Sequence, residues 1–396
     1  METSKKINLI NGIDIAIVGG GPGGLALARL LQLKGAHVNV YERDLNQKAR
    51  VQGAIVDLHY HSGLKVLEAA GLMDAFKARY MRGADSFRLV DENANVLADD
   101  YFQSGRYTFG DEHFRPEIDR GALRDILIDS LLPGTVVWDS QLIHLSLSNE
   151  RWEMQFKNGT HASSDLVIGC DGHRSGVREY LTDIQSVYSG ASIIQGEIDA
   201  PQTACSELYS MINNGSLMAA GQGKMLMVQP RGDGGLTFYA ASMYPENWEK
   251  VSGIDFRISR EVSDYLNNFY DGWHLAFHTM FSACTHFTYR PLHYHPLTLR
   301  WQTKPNITVL GDAAHLMPPN GEGVNLAMLD ALDLSECLTN GTYQNIEYAL
   351  RAYEDRMFAR ASPICEETVE GIEDFASPNK EAIQKLIQVF GNDGNV

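Results

Sequence analysis

Residues Ile13 to Val18 form a short apolar run rich in β-branched side chains, and the six positions after it, Gly19-Gly20-Gly21-Pro22-Gly23-Gly24, are all glycine or proline. From Leu25 to Lys34 the apolar residues fall at helical spacing with Gly35 as a stop, and His37 to Tyr41 reads as a second strand. This β-turn-α-β order opens a doubly wound parallel sheet. Asp165 to Gly169 and Ile307 to Leu310 are further buried-strand patterns, each delivering a loop that carries a paired glycine and aspartate, Asp171-Gly172 and Gly311-Asp312. Between about 185 and 290 the pattern changes to strand-like segments, Ser192 to Ile198, Lys224 to Val228 and Leu236 to Met243, separated by turns such as Asn213-Asn214-Gly215. From Leu326 onward the signal is helical, with Tyr343 to Ala361 and Pro363 to Gln388 predicted as two helices parted by Ser362-Pro363.

The expected fold is therefore α/β: a doubly wound, Rossmann-like dinucleotide domain with an inserted antiparallel sheet and C-terminal helices. The expected boundaries are 1–72, 107–184 and 290–350 for the first domain, 73–106 and 185–289 for the second, and 351–396 for the helical segment. A chain of 396 residues exceeds the size of one core, which favours two connected domains. The formal charge of −17 repels phosphate and so excludes nucleic acid and anionic membrane as main partners. Five scattered cysteines form no CxxC pair, and no apolar run is long enough to span a bilayer, so a reducing cytoplasm is expected. The chain is also expected to be a monomer. Ile13 to Leu33 lacks the flanks of a signal peptide and is expected to stay in the mature chain.

Gly19-x-Gly21-x-x-Gly24 between a strand and a helix is a dinucleotide fingerprint. The first glycine permits the tight turn, the second lets backbone approach a pyrophosphate, and the third lets helix and strand pack closely. The helix N-terminus then offers its positive dipole end to the phosphates. Glu42 closes the second strand, where a carboxylate accepts hydrogen bonds from ribose hydroxyls. The fingerprint alone does not separate FAD from NAD.

The later loops do. Cys170-Asp171-Gly172-His173-Arg174-Ser175-Gly176-Val177-Arg178 and Gly311-Asp312-Ala313-Ala314-His315 resemble two signatures of the class A FAD-dependent monooxygenases related to para-hydroxybenzoate hydroxylase. Within that family the chain looks most like the tetracycline-inactivating enzymes of the TetX type. The matching stretches are Tyr41-Glu42-Arg43-Asp44, Ala49-Arg50, Asp57-Leu58-His59, Pro116-Glu117-Ile118 with Arg120, Leu123-Arg124, and Gly311 through Pro319. The resemblance implies that Gly19, Gly21, Pro22, Gly23, Gly24 and Glu42 bind the adenosine half of FAD. It also implies that Arg43, Arg50, Asp57, Arg120, Asp171 and Gly172 line the cofactor and that Asp312 binds the ribityl chain. Pro319, Gly321, Gly323, Val324 and Asn325 would lie along the flavin ring, with Arg50 also meeting NADPH. In such a reaction NADPH reduces FAD, O2 gives a flavin C4a-hydroperoxide, and one oxygen atom passes to a phenol or enol carbon. The cofactor carries the hard chemistry. Gly321 and Gly323 open a helix whose dipole would stabilise reduced flavin. Relatives carry one more residue between His315 and this glycine pair, so the loop at Asn320 is expected to differ.

Gln195 matches a glutamine that helps bind tetracycline in the TetX-type enzymes, whereas Ser216 and Thr237 stand where those enzymes place an arginine and a histidine. Tetracycline is thus the leading substrate, with another aromatic or polyketide-like compound as the alternative. Met218, Met225, Met227, Phe238 and Tyr239 either line that site or pack a core. His59-Tyr60-His61 and His293-Tyr294-His295 each set two imidazoles on one face of an extended segment, but no third ligand is recognisable and no metal is expected. A halogenase would need a W-x-W-x-I-P segment and a disulfide reductase a cysteine pair, and the chain has neither. A non-enzymatic FAD-binding sensor remains as the rival of a different class.

Overall fold

The computed structural model describes residues 8–49, 55–100 and 107–391. Strand Asp14–Val18 pairs in parallel with His37–Tyr41 on one side and Leu166–Gly169 on the other. Ile307–Val309 and Val136–Val137 complete a five-stranded parallel sheet at its two edges. Strands covered on both faces read as unbroken apolar runs, which is why this sheet was visible in the pattern.

The first crossover helix starts at Pro22, not Leu25, and runs to Gln32. Proline at the first helical position surrenders an N–H that would lack a partner anyway, so the glycine turn folds directly into the helix. Two of its glycines are dictated by space. Gly19 has φ +110°, and a Cβ there would stand 2.2 Å from the Cys170 carbonyl oxygen; a Cβ on Gly24 would stand 2.2 Å from the carbonyl of Gly19. Leu25, Leu27 and Leu31 of the helix are fully buried, each worth roughly 2 kcal/mol of apolar transfer.

The inserted sheet has seven strands in the order His286–Tyr294, Val187–Ile198, Leu236–Ser242, Lys224–Pro230, Ser216–Gly221, Phe87–Val90 and Val96–Asp99. All its pairs are antiparallel except Ser216–Gly221 with Phe87–Val90. Alternation sorts its side chains: Ile194, Phe238, Leu226 and Val228 face helices Ser206–Ile212, Ser259–Phe269 and Leu275–Ala283, while the opposite face looks towards the parallel sheet's loops. Those helices were not among the expected elements, although Ser259–Phe269 is amphipathic, burying Val262 and Leu266 one turn apart. A three-stranded sheet, Leu142–Ser148, Arg151–Phe156 and His161–Ser164, is a further addition, as is the pair Ile55–Asp57 with Glu117–Asp119.

The C-terminal helices differ from expectation. A single helix, Ile346–Glu370, runs through Pro363, and the breaks fall instead at Gly371 and at Ser377-Pro378-Asn379, before Lys380–Gly391. Pro363 and Ala359, whose carbonyl loses its partner, are both exposed, so that carbonyl is open to solvent, while buried Ala361 and Cys365 hold the helix in place. Among the described residues no helix is long and apolar enough to cross a membrane. Pro363→Ala restores the missing hydrogen bond and is expected to stabilise the protein by about 1–3 kcal/mol, read as a rise in Tm.

Candidate functional site

The loops at the carboxyl ends of the parallel strands and the free face of the seven-stranded sheet enclose one cavity of about 1660 Å³. A typical small-molecule pocket is roughly 300–1,000 Å³, so this space suits a large cofactor and a second ligand together.

At one end lie Gly19, Gly21, Pro22, Gly23 and Gly24 with Glu42 and Arg43. Glu42 is buried, and its carboxylate accepts from the N–H groups of Gly20 at 2.7 Å and Asp44 at 2.9 Å. Arg124, which sequence reasoning did not single out as a site residue, holds the same turn from behind. Its Nε donates to the Gly20 carbonyl at 3.1 Å and its Nη2 lies 3.1 Å from Asp44 and 3.8 Å from Glu42. Around Gly21 nothing stands within 4 Å of a Cβ position, and the first-turn N–H groups of the helix have no carbonyl one turn earlier to bond. This is a cradle for an anion.

Asp171 and Gly172 enter the cavity from Leu166–Gly169, and Asp312 from Ile307–Val309. Asp171 Oδ2 accepts from Gly176 N–H at 2.9 Å, while Oδ1 is buried without a partner; burial raises its carboxyl above the usual range. An unpaired buried acceptor is costly unless a ligand hydroxyl or amide supplies its bond. Asp312 is exposed between buried Gly311 and Ala313 and lines the cavity. Beneath this turn lies fully buried Asp330, which accepts from the Gly311 N–H at 3.0 Å, His315 Nε2 at 2.6 Å and Arg360 Nη2 at 2.7 Å. Burial disfavours its charge, but His315 and Arg360 outweigh that and hold its carboxyl below the ordinary value.

Pro319, Gly321, Gly323 and Val324 line the cavity at the start of helix Gly323–Thr339. Asn325 does not line it. Its Oδ1 accepts from His59 N at 2.9 Å, Ser62 Oγ at 3.1 Å and Gly63 N at 3.2 Å, and its Nδ2 donates to the Asp57 carbonyl at 2.9 Å, so this expected cofactor ligand is a buried tie between two loops. The loop before this helix is closed by Asn320, which caps Glu322 N at 2.9 Å and donates to Thr368 Oγ1 at 2.7 Å. Asp57 lines the cavity and bonds His59 Nε2 at 2.7 Å, and His59 Nδ1 lies 3.4 Å from Glu322. Burial opposes protonation of His59, yet the two carboxylates prevail and raise it to about 9. Arg120 is exposed and also lines the cavity, whereas Arg50 lies outside the described residues.

On the sheet wall Gln195 and Ser216 face the cavity, while Thr237 stands on the same face between Glu197 and Gln229 but is fully buried and does not line it. The methionine and aromatic residues divide: Met218, Met227 and Tyr239 line the space, while Met225 and Phe238 do not and are buried. Phe375 and Phe390 from the C-terminal helices also line it, and Phe390 stacks on Phe87 at 4.0 Å between centroids. The His59–His61 segment is no strand, since Tyr60–Leu64 forms one π-helical turn. His295 bonds the 314–316 backbone and is pushed down to about 3 by burial and Arg178. Among the described residues no group of three metal-ligating side chains is present.

A family model described as FAD binding domain matches residues 12–100 and 153–368. The chain belongs to this family and is an FAD-dependent monooxygenase. Monooxygenase penA of Penicillium thymicola is 27% identical over 421 residues, covering 94% of this chain and 93% of that protein. HpxO of Klebsiella pneumoniae, solved with FAD and uric acid, matches with a TM-score of 0.76 at 18% identity, covering 98% of this monooxygenase and 95% of that chain. Tetracycline destructase Tet(55) matches with a TM-score of 0.71 at 20% identity, covering 95% and 94%. The tetracycline resemblance therefore extends to the shared fold, and the substrate of this monooxygenase is a separate question.

Asp330→Ala leaves buried His315 without its carboxylate and Arg360 with Asp333 alone, and is expected to cost about 3–5 kcal/mol and to lower flavin content, measured by denaturant unfolding and flavin absorbance. His59 is raised from 6.5 to about 9, so the stability from its ion pairs is complete below pH 6.5 and lost as pH rises through about 9. Thermal unfolding across that window is expected to fall in the native protein and to flatten in His59→Gln.

Proposed function

We propose that this monooxygenase hydroxylates a phenolic or enolic ring compound with NADPH as reductant, tetracycline being the leading substrate. One observation carries the reading: the glycine turn, both glycine–aspartate loops and the free sheet face line a single cavity larger than one small ligand needs. When bound, FAD supplies the redox chemistry, taking two electrons from NADPH and, with O2, delivering one oxygen atom to the ring.

The chain's own groups bind, orient and exclude water. Glu42 meets the ribose while keeping the Gly20 turn closed, and the helix opening at Pro22 faces the pyrophosphate. Asp312 accepts from the ribityl hydroxyls, with Arg43, Asp57, Arg120, Asp171 and Gly172 along the sides. Pro319, Gly321, Gly323 and Val324 set the positive end of a 17-residue helix against the cavity, where it stabilises negative charge as it builds. In this reading 1–72, 107–184 and the segment to 350 hold the cofactor and 73–106 with 185–289 hold the substrate, except that the last boundary moves from 289 to Tyr294, where the strand of the inserted sheet ends. Phe375 and Phe390 roof the substrate end and keep water from it.

Gln195 and the fold shared with the tetracycline destructases favour tetracycline. Ser216 and Thr237, with no guanidinium or imidazole, favour another aromatic or polyketide-like compound. Mass spectrometry after incubation with tetracycline, NADPH and O2 decides between them: a product heavier by one oxygen atom supports the first, and unchanged drug removes it. Asp312→Ala deletes a charged hydrogen bond at the cofactor's centre and is expected to weaken FAD binding about 10- to 100-fold, read by flavin release on dialysis. Full flavin occupancy in that variant would overturn the assignment of Asp312.

A further inference from the structure

On the sheet wall of the cavity one guanidinium is held in place without being neutralised. Arg290 lies on His286–Tyr294 in register with Ile193, and its Nε donates to Gln195 Oε1 at 2.6 Å. Gln195 Nε2 in turn donates to Glu197 Oε1 at 3.2 Å, and Glu197 Oε2 lies 3.5 Å from Arg231 Nη1. This chain of contacts fixes the amide: its nitrogen must face Glu197, so its oxygen must face Arg290. Gln195, expected to touch substrate, is thereby committed to aiming Arg290. Among the described residues the two terminal nitrogens of Arg290 bond no acceptor, although the residue is exposed and lines the cavity. Glu197, two residues from Gln195 on the same strand, already pairs with Arg231.

Tyr239 stands opposite Gln195 on the next strand and also lines the cavity. Burial raises its phenol, and the charges of Arg120 and Arg290 reach it, so it faces the space as a neutral O–H donor. Met227 and Met218 continue the same row across the sheet and give a polarizable apolar surface for a flat ring.

We propose that Arg290 determines specificity by binding the ionised edge of an aromatic substrate, a carboxylate or an enolate, with the Tyr239 hydroxyl as second donor and Gln195 as the positioning residue. This rests on the reading of the cavity as a hydroxylase site. A planar guanidinium pairs with a two-oxygen anion through parallel N–H bonds, whereas a neutral amide leaves one charge unmatched. The site therefore selects anionic ring compounds over neutral ones of the same shape.

The test titrates the FAD-loaded protein with hydroxybenzoates, each against its neutral hydroxybenzamide, and with tetracycline as an enolate, following the flavin spectrum. The acids are expected to bind about tenfold or more tightly than their amides. Arg290→Gln is expected to bring each pair within about twofold at unchanged flavin content, and Arg290→Lys to keep part of the preference. Tightening by tetracycline alone, lost in Arg290→Gln, assigns the enolate; tightening by the acids assigns the carboxylate. Equal affinity for acid and amide with no tetracycline binding, or an undiminished preference in Arg290→Gln, overturns the proposal. Protein that binds no FAD would count against the cofactor reading instead.

Discussion

The cavity depends on a buried carboxylate. Asp330 lies beneath the Gly311 turn, fully enclosed, and its three hydrogen bonds come from a backbone N–H, an imidazole and a guanidinium. A loop at the end of a parallel strand has no neighbouring strand to satisfy its amides, and burying them unbonded is expensive. Asp330 meets that need from below, leaving the upper side of the turn open. Glu42 does the same for Gly20 and Asp44, and Asn325 for the loop at 59–63. Three polar side chains thus replace secondary structure around a void that secondary structure could not border.

How legible this was follows from range. The parallel sheet and first helix were readable because their strands are apolar throughout and their turn requires glycine at Gly19 and Gly24. The glycine–aspartate loops were readable as motifs, and they do face the same cavity. Asp330 and Arg360 were not, since their role exists only once residues 30 apart on two helices meet. Asn325 was read as a ligand because it sits in a motif; its contacts reach back 262 to 268 residues, which no local pattern encodes. Pro363 misled for the opposite reason, as a local rule was overridden by the burial of the residues on either side.

The sheet wall has its own logic. Period-two alternation puts Met227 and Tyr239 on the cavity face and Leu226 and Phe238 in the core behind, while Met225, on the cavity face by register, is covered and does not line it. The mixture that looked ambiguous in sequence is two faces interleaved.

That interleaving separates what the protein keeps from what it can change. Positions facing the cavity on the sheet have side chains that the core behind does not feel, and the roof residues Phe375 and Phe390 come from helices outside the parallel sheet altogether. Substitution at either place redraws the space offered to a substrate while the turn at Gly19 and the bonds to Asp330 stand untouched. A lineage built this way can exchange one ring compound for another in single steps without passing through a form that has lost its cofactor.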